Sequence, residues 1–206
     1  IYVADEPLPQ GIEGQEADQV AQKMIKAVNA ADWDTVAVVR WQFAGIHKHL
    51  WDKERHLSQV IWGDTKVQLN LDTRRGKAWR EGQLLAESET QKQVDEARTY
   101  WVNDAFWRNP VVKLFDEGTT RQLVEMESGE QGMLISFASG GTTPGDSYMW
   151  LIDEETGFPK AWKMWVGILP IGGLEMAWNG WVLLPGTQSW VSSTHDGSIY
   201  TLVLDD

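Results

Sequence analysis

The chain contains no cysteine. That removes disulfide bonds, thiolate nucleophiles and thiolate metal sites together, and it suits a protein working outside the cytoplasm. Positive charge is also scarce: 18 Lys and Arg stand against 30 Asp and Glu, for a net charge of −12. The deficit is spread along the sequence, which argues against nucleic acid or an anionic membrane surface as a partner. No apolar run is long enough to span a bilayer. No signal peptide is seen, and the chain starts at Ile1 as a processed protein would. The expected location is periplasmic or extracellular, with membrane anchoring through a removed N-terminal segment. No serine sits in a Gly-x-Ser-x-Gly elbow. The glycine-rich stretch 140–145 lacks a phosphate-loop lysine and reads as a plain turn. The carboxylates Asp153, Glu154 and Glu155 fall in a turn as well. No catalytic residue and no cofactor is therefore expected.

What the sequence has in plenty is tryptophan, 13 in 206 residues. It also has one long central helix. Ser88 with Gln91 reads as a capping box, and Val94, Ala97, Trp101, Val102 and Ala105 recur at helical spacing, widened by Phe106. Asn109–Pro110 ends the helix, because a residue before proline is pushed out of the helical region. An apolar hook follows, Val111, Val112, Leu114 and Phe115. A helix this aromatic has to bury a face. The surrounding strands are the available partners, so the helix is expected across the concave face of a curved sheet. Asp104 and Arg108, four residues apart, read as an ion pair on its exposed side.

The remainder alternates with period two. Residues 1–14, with Pro7, Pro9, Gly11 and Gly14, read as a flexible leader; residues 15–206 read as a single domain. A first helix is expected over 15–31, with Ala17, Val20, Ala21, Met24, Ile25 and Val28 along one face. From Thr35, Ala37, Val39, Trp41 and Phe43 point one way. Strands follow over 57–62, 65–71 and 77–80. After the helix come 120–127, 132–138, 147–152, 159–166, 174–184, 189–194 and 198–204. Turns fall at Gly63, Arg75–Gly76, Glu81–Gly82, Ser128–Gly129, Gly157 and Asp196–Gly197. Short connections make the sheet mainly antiparallel. The fold class is thus mainly β with two helices (α+β), a curved antiparallel sheet or unclosed β-barrel with a helix across its concave face.

The order of elements resembles the LolA/LolB-like lipoprotein carriers. The stretch Arg75–Gly76–Lys77–Ala78–Trp79 is similar to that family's exposed turn followed by an aromatic strand, and residues 152–165 resemble its late hairpin. The segments 49–55, 100–113 and 143–153 resemble uncharacterised secreted bacterial proteins placed near that superfamily. The likeness runs from Ala17 to Asp205. The early-strand Arg-Pro segment of the carriers is missing. The resemblance implies an unclosed barrel whose helices plug an apolar cavity, and non-catalytic binding or carriage of a lipid, acyl chain or lipoprotein. The aromatics expected to line such a cavity are Trp41, Phe43, Trp62, Trp79, Trp101, Phe106, Phe115, Trp150, Trp165 and Trp178.

Two other readings stand beside it. His47 and His49, at i and i+2 of a strand, point to one side, and Glu54 follows at the spacing of cupin-type metal sites. That is the pattern of a metal-dependent, cupin-like enzyme. The plainer account of 47–56 is an exposed strand edge of alternating charge, with no metal bound. The last reading is a structural or interaction domain whose aromatics are all core.

Overall fold

The structure is a computed structural model and describes residues 5–139, 144–198 and 200–205. In chain order it comprises β1 (Ile12–Glu13), α1 (Gln15–Ala27), α2 (Ala30–Thr35), β2 (Val38–Phe43), β3 (His47–Asp52), β4 (Leu57–Trp62), β5 (Thr65–Asn70), β6 (Arg75–Arg80), β7 (Gln83–Leu84) and α3 (Glu87–Arg108). A 3-10 turn (Pro110–Lys113) leads to β8 (Thr119–Glu125), β9 (Gln131–Phe137), β10 (Ser147–Ile152), β11 (Pro159–Trp165), β12 (Leu174–Leu183), β13 (Trp190–Gly197) and β14 (Thr201–Asp205). Strand makes up 43% of the chain, about twice the ordinary share, and the described pairings are antiparallel. The fold is α+β, antiparallel sheet with helix against it.

The chain divides into two compact units. One comprises the described residues of Ile1–Trp33 with Asn109–Thr201, the other those of Asp34–Arg108 with Leu202–Asp206. The first unit carries strands in the order β1-β8-β9-β10-β11-β12-β13. Its α1 buries Ala17, Ala21 and Met24, the inner part of the expected stripe. Asn29, at φ 48, breaks the expected single helix into α1 and α2. Trp150, Trp162 and Trp178 meet pairwise with ring centroids 4.9 Å apart. Residues 5–13, read from sequence as a leader, are tied to this unit. Lys163 Nζ donates to the Glu6 carboxylate at 2.8 Å, Trp165 Nε1 donates to Glu6 O at 2.8 Å, and β1 pairs with β8.

The second unit carries β14-β2-β3-β4-β5-β6-β7. Here α3 packs on β4, β5 and β6. The contact is tight because small residues meet branched ones: Val94 and Ala97 of the helix lie against Val60, Val67, Leu69 and Ala78, all buried. Trp41 points to the same face and is also buried. The helix ends at Arg108, immediately before Asn109–Pro110, as the proline requires. Its start differs from the expected capping box. It begins at Glu87, and Thr90 Oγ1 turns back to the carbonyl of Ala86 at 3.0 Å, while Gln91 reaches Arg74 O and Asp95 instead.

Two turns also fall elsewhere than the glycines implied. The β5–β6 connection puts Arg74, not Gly76, in the left-handed region, at φ 54. Gly76 is a strand residue of β6 paired with Leu69, where an added Cβ would run into the Gln68 carbonyl. Asp196–Gly197, expected as a turn, is the end of β13, and the chain reverses beyond it, with Gly197 N donating to Tyr200 O at 2.9 Å. The glycine-rich stretch 140–145 lies largely outside the described residues.

Candidate functional site

The chemistry-bearing cluster lies in the second unit. In β3 the alternation of the pleat puts His47 and His49 on one face, the face that α3 covers. Strand β3 runs between β2 and β4, so it is an interior strand; the expected exposed edge at 47–56 is corrected on that point. His49 is buried and stacks on Trp41, centroids 4.4 Å apart and rings 13° from parallel. His47 lies against Tyr100 at 4.0 Å, with Phe43 on it at 6.1 Å. These rings fix both imidazoles by packing.

The third member comes from the helix. Asp104 Oδ2 stands 2.7 Å from His47 Nδ1 and 2.6 Å from His49 Nε2. Its Oδ1 accepts from Asn103 Nδ2 at 2.9 Å. Asp104 is wholly buried. Both imidazoles donate to it when His47 carries its proton on Nδ1 and His49 on Nε2. In that tautomer His49 Nδ1 is a bare acceptor, buried and without a hydrogen-bond partner. Tyr100 frames the open side. Its hydroxyl donates to Glu96 Oε1 at 2.8 Å, and that bond, with burial and the charges of Glu96 and Asp104, holds its pKa above the usual tyrosine value.

Two expectations are corrected here. Glu54 sits exposed in the turn after β3 and does not join the histidines; Asp104 takes the place assigned to it. Asp104 and Arg108 do not form a surface ion pair. Both are buried, Asp104 faces the histidines, and Arg108 Nη1 donates to the Leu204 carbonyl at 3.4 Å. A signal for this lay in the sequence. Val94, Ala97, Trp101 and Asp104 continue one helical stripe at steps of three and four, and a carboxylate on a buried stripe requires donors opposite it.

The ten aromatics expected around a cavity are divided between the units. Trp41, Phe43, Trp62, Trp79, Trp101 and Phe106 belong to the second; Phe115, Trp150, Trp165 and Trp178 belong to the first. Trp41 is part of the histidine cluster. Trp62 meets Tyr100 edge-on at 5.2 Å, and Trp101 meets Trp51 edge-on at 5.1 Å. Trp101 Nε1 is buried without a partner. Trp79 lies under Lys66 Nζ, and Phe115, 39% exposed, lies under the Arg121 guanidinium.

The other face of the same sheet carries a shallow groove of about 610 Å³. Leu50, Gln59, Gln68 and Lys77 form one row of paired residues across it, and Leu57, Asn70 and Arg75 the next. Their neighbours in sequence, His49, Val60, Val67 and Ala78, point to α3, so the groove lies opposite the helix. Leu50 and Leu57 are 42% and 41% exposed. None of the ten aromatics lines it. Among the described residues no helix is long and apolar enough to cross a membrane.

Comparison with protein-family models and with curated proteins gives no match to this chain.

Proposed function

We propose that this protein binds an apolar ligand without transforming it, an acyl chain or lipid, and acts as a carrier outside the cytoplasm. The observation that carries the reading is the groove on the β3–β6 face. Its floor presents Leu50 and Leu57 to solvent, and Arg75 and Lys77 stand at its side. Its size falls within the range of small-molecule sites, and its lining mixes the leucines with polar residues, Gln59, Gln68 and Asn70 among them, and with Asp52. An amphiphile with an acidic headgroup matches it: the chain lies on the leucines and the carboxylate or phosphate meets the two cations. The resemblance to the LolA/LolB-like carriers, and a chain without cysteine, support the same reading.

The test is titration of a fluorescent fatty-acid analogue, with mass spectrometry of an organic extract of the purified protein. Wild type is expected to bind the probe, and Leu57→Gln and Arg75→Ala to bind it at least fivefold more weakly. A weakening confined to Trp101→Leu would move the ligand to the helix-covered face and keep the carrier. No binding by any form, and no lipid in the extract, would end the carrier reading.

A further inference from the structure

The His47–His49–Asp104 cluster lies on the face opposite the groove and plays no part in acyl binding there. We infer that it is a binding site for a divalent transition-metal ion, held by His47 Nδ1, His49 Nε2 and Asp104 Oδ2. The three donor atoms converge within 4.8 Å of one another. Two imidazoles and one carboxylate are the ligand set favoured by borderline ions such as Zn²⁺, Co²⁺ and Fe²⁺. A metal ion also answers an electrostatic difficulty. The Asp104 side chain is 1% exposed and the His49 side chain not at all, and a buried carboxylate is costly unless compensated. Two neutral N–H donors compensate it in part; a dication does so fully.

The ligands are already oriented. Trp41 fixes the plane of His49 and Tyr100 that of His47, while Asn103 holds the second oxygen of Asp104. The spacings of 2.6 and 2.7 Å are those of hydrogen bonds. Ligand atoms bound at about 2.0–2.1 Å to one ion sit roughly 3 Å apart or more. Metal entry therefore moves the carboxylate back by a few tenths of an ångström, and each neutral imidazole passes its proton from the ligating nitrogen to its other ring nitrogen, so no imidazolate forms. His47, whose side chain is 12% exposed, marks the side from which the ion enters. The three protein ligands leave a further coordination position for water.

The experiment is a titration of metal-stripped protein with Co²⁺, followed by visible absorption and by calorimetry. One ion per chain is expected, with ligand-field bands. Zn²⁺ should displace Co²⁺ and erase the bands. His47→Ala and His49→Ala are expected to lose at least a hundredfold in affinity, and Glu54→Ala to bind as wild type. The wild-type titration decides by itself whether an ion binds, so a variant that fails to fold leaves the test intact. No stoichiometric ion in wild type overturns the inference, as does equal binding by folded His47→Ala, or loss of binding in Glu54→Ala.

Discussion

Asp104 Oδ2 and His49 Nε2 lie 2.6 Å apart across 55 residues of sequence, one on the long helix and one on an interior strand. The pair fixes α3 to β3 at a point where both side chains have left water. Removing the carboxylate leaves two buried imidazole N–H groups without their acceptor, at about 1–3 kcal/mol each, whereas a surface pair contributes less than about 1 kcal/mol. Asp104→Ala is expected to lower stability by about 2–6 kcal/mol. Arg55→Ala, which removes the exposed partner of Asp52, should cost less than about 1 kcal/mol. Urea denaturation of both variants measures the difference. A cost for Asp104→Ala no larger than that for Arg55→Ala would mean that the carboxylate is solvated.

The meeting of α3 with β5 and β6 depends on small side chains. Ala97 and Ala78 have no exposed surface. Ala97→Leu is expected to cost about 1–3 kcal/mol by overpacking, although leucine favours helix nearly as well as alanine. Lys92→Ala, on the exposed side of the same helix, should change stability by no more than about 0.5 kcal/mol. Thermal unfolding of the two separates packing from helix propensity; a neutral Ala97→Leu would mean a gap between helix and sheet.

Gly76 and Gly129 ought to respond in opposite measure to their backbone angles. Gly129 has φ 84 but nothing within 4 Å of an added Cβ. Gly129→Ala should therefore cost only the left-handed backbone penalty, about 1–2 kcal/mol. Gly76 has an ordinary strand conformation, yet a Cβ there meets the Gln68 carbonyl of β5. Gly76→Ala should cost about 3 kcal/mol, at the upper end of overpacking effects, and expose the amides of β6 to faster hydrogen exchange. Equal costs for the two would show that β5 and β6 separate easily.

Alkaline pH provides a test in the first unit. Burial, with the charge and hydrogen bond of Asp146, pushes the Tyr148 phenol well above the ordinary tyrosine value. The folded chain thus favours neutral Tyr148. Its contribution is complete below the unfolded pKa near 10 and is lost as pH rises past it, because the unfolded chain ionises first. Stability measured by urea unfolding should fall between about pH 10 and 11.5, and less steeply in Tyr148→Phe. The same slope in both proteins would assign the loss to other groups.

Much of the fold was legible in the residues. The residues gave strands β4, β5, β9 and β10 within one residue, and Asn109–Pro110 gave the end of α3; the run expected from Thr35 begins as β2 only at Val38, after α2. Short elements were hidden: β1 and β7 have two residues each, too few for any period to register. Turn chemistry misled where packing decided. Gly76 reads as a turn residue by type, but its glycine serves the close approach of two strands, and Arg74 bears the positive φ.

The candidate site was half legible. His47 and His49 could be paired from a spacing of two, since strand geometry sends i and i+2 to one side whatever the context. Their carboxylate could not be chosen that way. Glu54 is five residues from His49 and Asp104 is 55 away, and only the approach of α3 to β3 ranks them. Local periodicity and breakers are set by neighbouring residues, so the sequence by itself determined the longer strands, their antiparallel pairing and the end of α3. Which helix position faces which strand depends on the crossing of α3 over the sheet, set by many small packing contacts far apart in the chain. That crossing alone placed Asp104 between the histidines, and the tertiary structure alone decided it.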